Sequence, residues 1–72
     1  VKPASDILNL LRHGAHVIVD ATGAGTPTLL ELAAAARAAK GHVTLTGLNH
    51  KPASDLEAIA ANGGPHVTLE LS

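Results

Sequence analysis

Five residues, Lys2-Pro3-Ala4-Ser5-Asp6, recur letter for letter as Lys51-Pro52-Ala53-Ser54-Asp55 in a chain of 72 residues. Chance does not produce such a match in so short a chain, and internal repetition constrains a fold before any other signal does. His16-Val17-Ile18-Val19, His42-Val43-Thr44-Leu45 and His66-Val67-Thr68-Leu69 state a second phrase three times. These histidines are 26 and 24 residues apart, and Pro3, Pro27 and Pro52 are 24 and 25 apart. One period therefore governs both ends of a unit, and the chain divides into units at about 2–20, 26–48 and 51–72.

Each unit opens as a helix. Ser54-Asp55-Leu56-Glu57 and Thr28-Leu29-Leu30-Glu31 fit the capping box, in which hydroxyl and carboxylate satisfy the free amides of a first turn. Apolar residues follow at helical spacing: Ile7, Leu10 and Leu11; Leu29, Leu32, Ala33 and Ala36; Leu56, Ile59 and Ala60. Gly14, Gly41 and Gly63 are expected to stop the three helices in the left-handed conformation of a C-terminal cap.

The strands report how many faces of their sheet are covered. Val43 and Leu45 alternate with His42, Thr44 and Thr46, and Val67, Leu69 and Leu71 alternate with His66, Thr68, Glu70 and Ser72. A parallel sheet buried on both faces would read as continuous apolar runs. The pattern predicts helices on one side only, with Ile18 as the exception on the outward side of the first strand. Parallel strands joined by helices cross over with one hand, so sequential units place every helix on the same face. The expected fold class is α/β: three helix–strand repeats forming a parallel three-stranded sheet with helices on one face, a solenoid-like two-layer segment.

Units such as Val43-Thr44-Leu45-Thr46-Gly47-Leu48-Asn49, each followed by a helix, resemble short α/β solenoids of the leucine-rich-repeat kind in architecture. That resemblance implies a scaffold that binds partners through its strand face.

Composition narrows the functional classes. Hydrophobic residues make up 46% of the chain, yet Phe, Trp, Tyr, Met and Cys are all missing. The core must be aliphatic, without disulfides or thiolate metal sites, and no aromatic platform exists for stacking nucleic-acid bases. A formal charge of −1 with five Lys and Arg argues against nucleic-acid partners and against an electrostatic membrane footprint. No apolar run approaches the ~20 residues of a membrane span, so a soluble chain is expected. Because Val1 stands where Met would and a full unit starts at once, the chain reads as excised from a longer array or built from its consensus.

Three constellations could carry chemistry. The loop Asp20-Ala21-Thr22-Gly23-Ala24-Gly25-Thr26-Pro27 joins the first strand to the second helix, where backbone amides and the helix dipole can cradle phosphate. It is neither a Walker-type loop nor a full G-x-G-x-x-G, since Thr28 stands at the third glycine. It supports an alternative reading: a small doubly wound domain, with the first strand central, holding a phosphate-bearing nucleotide or cofactor through Gly23, Gly25 and Thr26. His16, His42 and His66 are expected to form a row across the strands, a geometry unlike the convergent ligands of catalytic zinc. No metal site is assigned. Ser5 and Ser54, beside Asp6 and Asp55, read as caps needed once per helix rather than as nucleophiles needed once per site. Glu31 and Glu57 share that explanation, and Asp20 and Glu70 lie on different strands with no reason to pair.

The preferred expectation is a non-enzymatic structural or protein-interaction repeat module without cofactor. Its binding face would carry His42, Thr44, Thr46, His66 and Thr68, and its open end units would favour self-association through sheet edges.

Overall fold

The computed structural model describes residues 4–71. Lys2, Pro3 and Ser72, to which the repeat assigns places in the first and third units, lie outside these residues. The elements run α1 (Ala4–Arg12), β1 (His16–Asp20), α2 (Thr26–Ala39), β2 (His42–Thr46), α3 (Ala53–Gly63) and β3 (Val67–Leu69), with a short 3-10 turn at Gly64–His66 before β3. The strands are parallel and stand in sequence order, β1-β2-β3. The fold is α/β, with three helix–strand pairs and all helices over one face of the sheet. Among the described residues no helix is long and apolar enough to cross a membrane.

Strand order overturns the doubly wound arrangement, which needs β1 in the centre; β2 is central and β1 is an edge. The physical reason lies in the outward side chains. A second helical layer would have to bury His42, Thr44 and Thr46, and their alternation with Val43 and Leu45 leaves that face polar.

Register explains the core. Val17 pairs with Val43 and Val43 with Val67, while Val19 pairs with Leu45 and Leu45 with Leu69. Val43 and Leu45 have a strand on each side and α2 above them, and both are fully buried. Leu29, Leu32, Ala33 and Ala36 of α2 complete the seat. Full burial of one such aliphatic side chain contributes about 1.5–3 kcal/mol. Ile18, the exception in the sequence pattern, is 79% exposed on the uncovered face, so alternation holds in β1 as well.

Helix boundaries depart from expectation. Thr28 and Ser54 are not caps: α2 begins at Thr26 with Gly25 as N-cap, α3 begins at Ala53 with Pro52 as N-cap, and neither has a side-chain cap hydrogen bond. Ser5 also lies inside its helix, one residue after Ala4. Proline decides the matter, because its φ near −65° suits the start of a helix and so draws the first turn upstream of the hydroxyl.

The glycines move too. Lys40, at φ 58° and ψ 28°, takes the left-handed conformation expected of Gly41, while Gly64 caps α3 in place of Gly63 with a positive φ of 57° but a ψ of −131°, outside the left-handed helical region. Gly41 and Gly63 are there for space. A Cβ on Gly41 would stand 2.7 Å from the Ala15 carbonyl oxygen, and one on Gly63 would stand 2.5 Å from Val67 Cγ1 and 3.2 Å from Ala33 Cβ.

Leu45→Ala is expected to cost about 2–5 kcal/mol through lost burial and a residual cavity, and Gly63→Ala about 1–3 kcal/mol through overpacking between α2 and β3. Gly23→Ala, where an added Cβ meets nothing within 4 Å, should change stability by no more than about 0.5 kcal/mol. Urea unfolding followed by far-UV circular dichroism measures all three.

Candidate functional site: the open sheet face

Side chains that alternate away from α2 form a shallow polar surface across all three strands. β1 contributes His16, Ile18 and Asp20, β2 contributes His42, Thr44 and Thr46, and β3 contributes Thr68. Exact pairing of His16 with His42 sets their imidazole centroids 5.7 Å apart, tilted by 41°. The His42 ring leans along the sheet toward β3, and its Nε2 lies 2.6 Å from Thr68 Oγ1. Thr46 Oγ1 donates to the Val19 carbonyl oxygen at 3.3 Å. A chain of polar contacts therefore crosses from His16 through His42 to Thr68, and Ile18 stands beside it as an apolar knob.

The expected histidine row is broken at its third member. His66 belongs to the 3-10 turn rather than to β3, and its Nδ1 lies 2.8 Å from the Gly41 carbonyl oxygen. A carbonyl can only accept, so Nδ1 carries the proton and donates. Pro65 is the local cause: it suits the first turn of a helix and delays the strand until Val67. Of the five residues expected on the binding face, His42, Thr44, Thr46 and Thr68 share it, while His66 turns back to tie the third unit to the second. Among the described residues no group of three His, Cys, Asp or Glu side chains could hold a metal ion.

The glycine-rich loop is organised by its own carboxylate. Asp20 Oδ1 accepts from the Thr22 amide at 2.9 Å and from the Thr22 hydroxyl at 2.6 Å, the self-contained turn that Asp favours. Gly47, at φ 73°, packs against this pair, and a Cβ there would meet Asp20 Oδ1 at 3.2 Å. Ala24 N–H is bound to the Ala21 carbonyl. Gly23 borders a groove of about 330 Å³ between α1 and α2, together with Ile7, Val19, Asp20, Thr28 and Leu32. Thr26 faces elsewhere, its hydroxyl donating to Asp55 Oδ2 at 3.0 Å. Gly23 borders the groove, and the Thr26 side chain is engaged by Asp55.

Two components of these sites escaped the sequence reading. Ile18 could have been found by taking its outward position as a contact residue rather than an exception. The partnership of Gly47 with Asp20 and Thr22 had no local signal, because those residues come together only through β1–β2 pairing.

Hydrogen bonds from Thr22, first its hydroxyl and then its amide, hold the Asp20 carboxyl below its ordinary range, against a smaller opposing effect of desolvation. A folded pKa below the unfolded value of about 3.9 gives stability that is present above that value and lost as pH falls through the lowered one. Thr22→Ala should therefore be less stable than the parent chain at neutral pH, with the gap narrowing below about pH 4. Thermal unfolding of both proteins between neutral and strongly acidic pH checks the sign.

No family model matches the chain, and no curated protein and no solved structure matches it either.

Proposed function

We propose that the chain is a non-enzymatic repeat module that binds a protein partner across the open sheet face. The observation that carries this reading is Ile18, 79% exposed at the edge of a face that no helix covers. Around it stand His16, His42, Thr44 and Asp20, which offer both donors and acceptors. An exposed apolar side chain flanked by donors and acceptors gives a partner both apolar area and hydrogen bonds. The side chains sit on paired strands rather than loops, so little ordering is needed on binding.

Repetition also supports a role without catalysis. Ser5 and Ser54, with Asp6 and Asp55, occupy the first turns of α1 and α3 at equivalent places, and Asp55 is already engaged by Thr26. The imidazoles of the face contact each other, and His42 Nε2 meets the Thr68 hydroxyl.

One observation favours the alternative of phosphate-bearing ligands: the groove beside Gly23 lies where β1 ends and α2 begins. Against it, the Asp20 carboxylate occupies the loop and takes the Thr22 amide that a phosphate would need. Titration with ATP, followed through the amide shifts of Gly23 and Gly25, is expected to give no saturable change. Saturable shifts confined to the loop would replace the sheet-face reading.

Peptides selected from a displayed library against the immobilised chain should lose at least about tenfold in affinity on Ile18→Lys, the loss of roughly 1.4 kcal/mol. The same peptides should be indifferent to Gly23→Ala. Selected binders that ignore Ile18→Lys would sink the proposal. Unchanged circular dichroism of the variant confirms that folding is not the cause.

A further inference from the structure

The end units expose the residues that the inner seams bury. Counted from the first helical residue, the seventh position is Leu10 in α1, Leu32 in α2 and Ile59 in α3, and the eighth is Leu11, Ala33 and Ala60. Ile59 is 0% and Leu32 2% exposed, whereas Leu10 is 43% exposed. The eighth position behaves in the opposite sense: Leu11 and Ala33 are fully buried, and Ala60 is exposed. Leu32 lines the groove toward α1 with Ile7, and Ala33 approaches Gly63 of the following helix. The seventh residue therefore faces the preceding unit and the eighth faces the following one. Among the described residues no helix packs before Leu10 and none packs beyond Ala60.

The sheet repeats this arrangement. β1 and β3 each pair on one side only, and Val67 and Leu69 stand in the same register positions as Val17 and Val19, with β2 between them. Asp55 accepts a hydrogen bond from Thr26 of the preceding helix, and Asp6, its letter-for-letter counterpart, is exposed at the open end.

We infer that the α1–β1 end of one molecule docks onto the α3–β3 end of a second copy, head to tail, continuing the sheet and the helical layer. Leu10 of one copy seats against the small exposed Ala60 of the other, as Ile59 seats against α2 within one molecule. β1 joins β3 in parallel, with Val17 opposite Val67 and Val19 opposite Leu69. The two ends are different surfaces, so the contact does not close on itself and generates an open stack. A net charge of −1 opposes this little. The inference rests on the reading of the chain as a repeat module and adds its partner, and it leaves the open sheet face free.

Sedimentation velocity of the full chain over a wide concentration range tests it, with Leu10→Lys and Ala60→Lys, both at exposed positions, as end-blocked variants. Wild type should grow in mass beyond a dimer as concentration rises. Each variant alone should stay monomeric, and an equimolar mixture should form a dimer, because Leu10→Lys retains a good α3 end and Ala60→Lys a good α1 end. Wild type that stays monomeric throughout overturns the inference, as does self-dimerisation of either variant or a mixture that fails to associate. Circular dichroism of each variant verifies its fold. Thr44→Lys, on the central strand of the open face, should lose the selected peptides yet stack like wild type, so failure of the stack and failure of the sheet-face reading show up in different variants.

Discussion

In-register parallel pairing around β2 is the constraint from which the rest of the molecule follows. It sets Val43 and Leu45 under α2 with an aliphatic neighbour on each side, and these are the deepest residues of the sheet. A chain this small buries only about 60% of its unfolded surface, and this one has no cysteine to form a disulfide. Its core must then be closed by small and branched aliphatic side chains. Ala33 and Ala36 in α2, with Gly63 at the end of α3, let the helices settle near the sheet and each other. Larger residues at those points would separate the layers.

The same pairing creates the surface opposite. Because side chains alternate along a strand, every residue that buries Val19, Val43 or Leu45 carries with it a neighbour directed to solvent. The backbone positions of His16, Ile18, His42, Thr44 and Thr68 are therefore set by the same pairing that builds the core, although their side chains contribute little to it. Their mutual contacts, from imidazole to imidazole and from imidazole to hydroxyl, give the open face a defined polar order around one apolar side chain. Core and open face are two sides of one backbone here.

Helical layer and sheet also share a direction. Successive helices present one residue backward and the next forward, and His66, Asn62 and Arg37 reinforce the seam between the second and third units through backbone carbonyls of the neighbouring unit. Leu10 and Ala60, on the outer sides of α1 and α3, stay exposed among the described residues.

Much was legible from residue order, because periodicity is a local property. The letter-for-letter repeat gave the number of units, 3- and 4-residue spacing marked the helices, and alternation in β2 and β3 predicted a sheet covered on one side. What the chain alone misplaced was decided by contacts across it or by competition between local signals. Pro27 and Pro52 overruled Thr28 and Ser54 at the helix starts, and Pro65 drew His66 out of the histidine row. Gly41 and Gly63 looked like helix stops, yet their requirement is room for the Ala15 carbonyl and Val67. The exposure of Ile18 and the closing of Gly47 on Asp20 and Thr22 needed strand order and register as well. Sequence determined which side of each element is apolar, since that follows from spacing along the chain. Tertiary structure decided which of those sides find a neighbour, since burial depends on residues brought together from different units.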